Sequence, residues 1–398
     1  MTLSPLPLSG VRVVEFSHTV MGPTCGMVLA DLGADVVKVE PVDGDRTRRL
    51  KGFGVGFFGF LNRNKRAIAV DVATADGRAA VDELVRRADV LIENFAPGTM
   101  TKRGYGLQRC AELNPRLIYC ALKGFLAGPY EHRAALDEVV QMMGGLAYMT
   151  GPTGKPLRAG ASVIDIMGGT YGALGVLLKL RERDRTGRGG HVESALFESV
   201  VLLMGTHLAA SAVMQRPVPP MPERISSWAI YEPMDTADGA QIFIGVTSDG
   251  QWRRFIDVFG LADLKDDARL ATNNDRIAAR PWLLPILRQT MAARPIAEIE
   301  RLAEQADISY ARVARPEDLL DDPHLAASGQ LAPTLLPGDV VARLPLLPLR
   351  LDGRVLGKDR DPPSIVGQHT REVLHELGYA DPDITRLAAA GTIATGDA

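Results

Sequence analysis

Residues 11–40 read Val11-Arg-Val-Val-Glu-Phe-Ser-His-Thr-Val-Met-Gly-Pro-Thr-Cys-Gly-Met-Val-Leu-Ala-Asp-Leu-Gly-Ala-Asp-Val-Val-Lys-Val-Glu40. The β-branched run Val11–Phe16 predicts a strand, and Asp35–Glu40 a second one. Between them Pro23 suits a first helical turn, and Thr24–Leu32 keeps helical period until Gly33 stops it. The alternation recurs downstream: strand 67–71, helix 73–87, strand 89–95 and strand 117–122. Strands separated by about a dozen helical residues imply an α/β fold with a parallel sheet, helices covering its faces. The first turn lacks the GxGxxG glycines that let backbone approach a pyrophosphate, so Glu40 at the second strand end does not make a nicotinamide site.

Further on, the pattern predicts a helix over 168–183, a strand over 191–195 and one long buried helix over 197–214. The proline-rich stretch 216–223 reads as a linker. It divides residues 1–215 from a small α+β unit over 224–315, with a strand at 241–247, a helix at 251–258 and helical pattern over 281–306. Residues 316–398 carry a proline cluster and a closing helix, 369–377.

The 398 residues exceed what one typical core supports, which favours two domains. A net charge of −3 gives no electrostatic case for nucleic acid or an anionic membrane. Cys25, Cys110 and Cys120 lack CxxC spacing, so neither a disulfide framework nor a zinc site is expected, and a reducing cytoplasm fits. The scattered histidines form no HExxH, and GxSxG and GxxxxGK[ST] are absent from the sequence, so no metal is expected. The first residues lack a basic run and carry two prolines, unlike a signal peptide. What remains is acids and bases at strand ends, where open α/β sheets bind ligands.

Asp165 stands out, in Arg158-Ala-Gly-Ala-Ser-Val-Ile-Asp-Ile-Met-Gly-Gly169. It reads equally as a helix N-cap and as a reactive carboxylate among small residues that admit a bulky acyl group.

The order of several segments carries a resemblance over nearly the whole chain. They are 8–16, 29–40, Asn62-Arg-Asn-Lys-Arg66, Glu93-Asn-Phe-Ala-Pro-Gly98, Leu113-Asn-Pro-Arg-Leu-Ile118, Arg185-Thr-Gly-Arg-Gly189 and Val366-Gly-Gln-His369. Together they resemble the class III CoA-transferases, the formyl-CoA transferase and acyl-CoA racemase superfamily. The resemblance implies a Rossmann-like large domain built from both ends of the chain, a small domain between, and an interlocked ring-like homodimer. It implies transfer of coenzyme A from an acyl-CoA to a carboxylic acid, with Asp165 as nucleophile through aspartyl anhydride and aspartyl-CoA thioester intermediates. Residues expected to bind CoA are His18, Val20, Met21, Val70, Asp71, Asn94, Phe95, Ala96, Lys102, Arg103, Lys123 and Arg133. The chain departs at Pro41, where formyl-CoA transferase carries an arginine.

Tetrahedral steps build charge on oxygen and need N–H donors. Gly168-Gly169 and the turn 247–251 are the candidates. The racemases work through a His-Asp pair, which here reads Leu136-Asp137, with His132 four residues earlier; the missing histidine favours transfer over racemisation. A non-catalytic CoA-binding protein is disfavoured by the intact surroundings of Asp165. His18, Lys123, Arg133 and Arg158 suggest an acid with a second anionic group, with succinyl-CoA as donor; the same side chains could instead bind CoA phosphates or face solvent.

Overall fold

A computed structural model describes residues 5–224 and 226–396. These divide into two compact units. One comprises the chain up to Pro222 together with His324 onward, and the other is Glu223–Pro323, extending past the expected end at residue 315.

The first unit is built on a seven-stranded sheet. Its strands are β1 (Arg12–Phe16), β2 (Asp35–Glu40), β3 (Lys65–Val70), β4 (Val90–Glu93), β5 (Ile118–Lys123) and β6 (Gly190–Ala195), joined by the short strand Ile393–Ala394. The order is Ile393–Ala394, β3, β2, β1, β4, β5, β6, and every pairing is parallel except that of Ile393–Ala394 with β3. Covered on both faces, β1 to β5 are rich in apolar residues, and β1 to β3 also bury the charged Glu15, Lys38, Glu40, Lys65 and Arg66. One core, with Val13, Val36, Ile92 and Cys120, lies under α1 (Met21–Asp31) and the long helix Val163–Thr186. The other, with Val14, Ile68 and Leu91, lies under the helices Ala75–Arg87 and Thr370–Glu376.

Several expected boundaries move. β3 begins at Lys65, before the predicted 67, because Lys65 and Arg66 are buried in ion pairs with Glu15 and with Asp35, Glu372 and Glu376. The long helix begins at Val163, five residues before the predicted 168. The predicted single helix over 197–214 is two, Leu196–Leu203 and Gly205–Met214, bent by 48°. Glycine at 205 weakens the helix where the bend falls. The second piece buries none of its residues. The long helix meets the length and apolarity of a membrane span, yet it packs on α1, β5 and β6. The proline cluster holds a hairpin, Leu331–Leu336 with Val340–Pro345.

The second unit is a three-stranded antiparallel sheet (Ile230–Asp235, Gln241–Val246, Ser309–Arg312) with helices Asp249–Phe259, Asn273–Ala292 and Ile296–Gln305 over a core that includes Trp252, Phe255, Leu283 and Ile299. The helical stretch predicted over 281–306 is thus two helices, separated at Pro295.

Candidate active site

The long helix lies against α1 because its facing positions are glycines. A Cβ on Gly169 would come within 2.5 Å of the Met21 carbonyl oxygen and 2.7 Å of Thr24 Cβ; one on Gly172 would meet Leu122 at 2.5 Å. Gly168 and Gly169 stand three and four residues after Asp165, so they share its helical face. Asp165 therefore lies one turn, about 5.4 Å, ahead of the contact with the start of α1. The glycines are packing positions. Lying in the helix interior, their N–H groups belong to the i→i−4 ladder, which corrects the expectation that they serve as oxyanion donors.

Asp165 occupies the first turn of the helix and does not cap it. The cap comes from Asp137, buried at the start of the helix Asp137–Met143. Asp137 Oδ2 accepts from the Ile164 N–H at 2.8 Å and the Asp165 N–H at 3.0 Å. Its Oδ1 accepts from Gln141 Nε2, and Gln141 Oε1 accepts the Ala159 N–H at 2.8 Å. Two of the orphan donors of the helix start, the Ile164 and Asp165 N–H groups, are thus satisfied by Asp137, 27 and 28 positions away. The Asp165 carboxyl is released from that duty. Half-buried, it has no side-chain hydrogen bond or ion pair among the described residues. Burial foremost, then the neighbouring Asp137 and Glu138 carboxylates, pushes it up to about 7.

The loops after β1 and β4, with Lys123 at the end of β5, form a second cluster. His18 N–H donates to Asn94 Oδ1 at 3.0 Å, and Asn94 Nδ2 returns a bond to the His18 carbonyl at 2.9 Å. The His18 ring stands 5.1 Å from that of Phe95, and Arg103 lies 4.2 Å from the Phe95 centroid. Partial burial lowers the His18 pKa; Asp45 opposes the shift, and Lys38, Arg103 and Arg46 add to it. Lys123 pairs with Glu93 and donates to the Phe95 carbonyl at 2.9 Å, so it holds this loop from behind. The Ala96 carbonyl accepts the Thr99 N–H, turning the chain toward exposed Lys102.

The other expected contacts differ in kind. Val20, Met21 and Val70 are core side chains, so only their backbone can meet a ligand. Asp71 follows the end of β3 at Val70, its Oδ1 accepting from the Ala73 N–H. Arg133 is exposed and 4.9 Å from the Tyr130 centroid. Arg158, expected to receive a distal carboxylate, is already engaged by Glu138 at 2.8 Å. His132 is exposed against Glu131. The 247–251 turn is a capping turn of the second unit, with Ser248 Oγ accepting the Gln251 N–H. Among the described residues no three His, Cys, Asp or Glu side chains gather as a metal would need. Sequence reasoning missed Asp137 as the cap and Gln141 as its support; a carboxylate opening a short helix was their only signal.

The profile of CoA-transferase family III matches residues 8–370. Succinate–glutarate CoA-transferase of Agrobacterium fabrum is 33% identical, covering 93% of this chain and 96% of its own. Succinyl-CoA–D-citramalate CoA-transferase of Chloroflexus aurantiacus is 32% identical, over 97% and 98%. The crystal structure of a CAIB/BAIF family protein from Brucella suis superposes with a TM-score of 0.82 at 32% identity, covering 94% of this chain and all of that one.

Proposed function

Because the chain belongs to CoA-transferase family III and moves CoA between an acyl-CoA thioester and a carboxylic acid, we propose that Asp165 is the residue that carries it. The supporting observation is the Asp165 carboxyl itself: half-buried, beside two other carboxylates, and without a partner because Asp137 does the capping. Structural carboxylates in such places are generally paired, and an unpaired one beside other carboxylates with a raised pKa supports a reactive role.

The ionised Asp165 attacks the donor thioester carbon, the C–S bond breaks, and CoA thiolate leaves a mixed anhydride. The thiolate then attacks the aspartyl carbonyl, expelling the donor acid and forming an aspartyl-CoA thioester. The acceptor carboxylate attacks that thioester, the C–S bond breaks, and a second mixed anhydride forms with release of CoA thiolate. The thiolate then attacks the acceptor acyl carbon, and the Asp165 carboxylate leaves as the new acyl-CoA forms. A carboxylate suits the task because each intermediate keeps the acyl group activated.

The CoA would lie across the loops at His18, Asn94–Ala96 and Arg103, at the carboxyl ends of β1 and β4, where open sheets bind ligands. The donor and acceptor are short dicarboxylic acids, with succinyl-CoA the donor; the names of the relatives support this. Two chains would interlock as a homodimer. Leu174, Leu178, Leu202, Leu208 and Val213, all exposed in the single chain, support such an assembly. Three buried unpaired cysteines support a cytoplasmic location.

The test is a panel of acyl-CoA donors and free acids, with the CoA products resolved by mass spectrometry. Transfer from succinyl-CoA to glutarate or citramalate, lost in Asp165→Ala, is expected. Equal rates with acetyl-CoA and hydrophobic monoacids would overturn the substrate assignment, and a fully active alanine variant the nucleophile.

A further inference from the structure

The bend that carries His18 has an unusual backbone. Thr19 sits at φ +65°, in the left-handed region, where a β-branched side chain is disfavoured and glycine preferred. Such a conformation persists only where its surroundings over-determine it. Here each residue of the bend is pinned separately. The Ser17 carbonyl accepts from Lys38 Nζ at 2.6 Å, and His18 is bonded on both sides of its peptide by Asn94. The Thr19 N–H donates to Thr47 Oγ1 at 2.9 Å.

Thr47 is in turn fixed from below. Its hydroxyl and its N–H both donate to Asp45 Oδ1 at 2.8 Å, and Asp45 Oδ2 pairs with Lys38 at 3.1 Å. The Asp45 N–H donates to Glu40 Oε2. Lys38, Asp45, Thr47 and Ser17 are all buried, so none of these side chains meets solvent or ligand. Their effect reaches outward through residues 17–19. On the outer side, Thr19 Oγ1 lies 2.7 Å from His18 Nδ1, which leaves Nε2 as the ring atom able to meet a ligand.

We propose that Thr47, fixed by Asp45 and Lys38, is a positioning residue for CoA transfer: it clamps Thr19 in the left-handed conformation that sets the place of His18. This rests on the reading that the His18 loop belongs to the CoA site. A relay of one hydroxyl and one buried ion pair does what a glycine would not, because it fixes the bend as well as permitting it.

Thr47→Val keeps the side-chain shape and removes the hydroxyl; Thr47→Ser restores it. The clamp predicts that Thr47→Val lowers kcat/KM for the acyl-CoA about tenfold, the scale of one lost buried hydrogen bond. The KM of the acceptor acid stays in place, and Thr47→Ser stays within about twofold of the wild type. In a His18→Ala background Thr47→Val adds little further loss, since both changes act through one element. Should Thr47→Val not fold by circular dichroism, Asp45→Asn, which conserves volume, goes through the same assay. His18→Ala at the wild-type rate would remove the underlying reading of the loop. An impaired His18→Ala beside a folded Thr47→Val at wild-type kcat/KM, or losses that add in full, would overturn the clamp itself.

Discussion

Replacing Asp165 by asparagine should abolish transfer and at the same time stabilise the fold above neutral pH. The carboxyl is held at about 7, against 3.8 for an ordinary aspartate, by burial and by Asp137 and Glu138. A carboxyl whose folded pKa is raised contributes its stability in full below the unfolded value. That contribution is lost as pH rises through the folded value. The gap between about 7 and 3.8 is worth at most about 4 kcal/mol, at roughly 1.4 kcal/mol per pH unit. Screening of a half-buried group lowers this toward about 2 kcal/mol. Asparagine cannot ionise, so it escapes the loss. Denaturant unfolding of both proteins in parallel at pH 4, 6 and 8.5 reads the difference directly. The variant should gain about 2–4 kcal/mol at pH 8.5, less at pH 6 and almost nothing at pH 4. A variant no more stable than wild type at pH 8.5, or a difference independent of pH, would refute the reasoning.

Asp137→Ala should cost about 1–3 kcal/mol, because the Ile164 and Asp165 N–H groups lose their acceptor at a buried helix start; thermal unfolding measures it, and an unchanged Tm would deny the capping role. Gly169→Ala should destabilise by about 1–3 kcal/mol despite alanine's better helix propensity, because its Cβ meets the Met21 backbone at 2.5 Å; a gain in Tm would contradict this packing. With a chiral 2-methylacyl-CoA in heavy water, no deuterium should enter the α-carbon, since Leu136, and no histidine, precedes Asp137 to exchange the proton; incorporation at the rate of transfer would reverse the ranking of the two chemistries.

Much of the sheet is legible because covered parallel strands are rich in apolar residues, and the valine runs of β1 and β2 say so directly, although both also bury charged residues, Glu15 and Lys38. The same rule hides the start of β3: Lys65 and Arg66 look like loop, yet both are buried by ion pairs with acids distant in sequence. The long helix was harder to bound. A local search for its cap stops at Asp165, whereas the group that caps it is Asp137, which no short-range pattern connects to it. Gly168 and Gly169 are ambiguous for a similar reason. Glycine admits close approach by a ligand or by another helix, and only the position of α1 decides. The two-residue strand Ile393–Ala394 carries no periodicity at all, so its pairing with β3 is invisible before folding. Asp165 itself is legible by its surroundings, but its freedom from capping, which supports its chemistry, is a tertiary fact.

The covalent role of Asp165 is tested most directly by trapping. Enzyme incubated with succinyl-CoA and no acceptor is quenched with hydroxylamine, digested and mapped by mass spectrometry. The mechanism predicts a hydroxamate on Asp165 alone, appearing only when the acyl-CoA is present, and none in Asp165→Asn. Turnover of the wild-type enzyme with Asp165 unmodified, or a hydroxamate on a different residue, would contradict it.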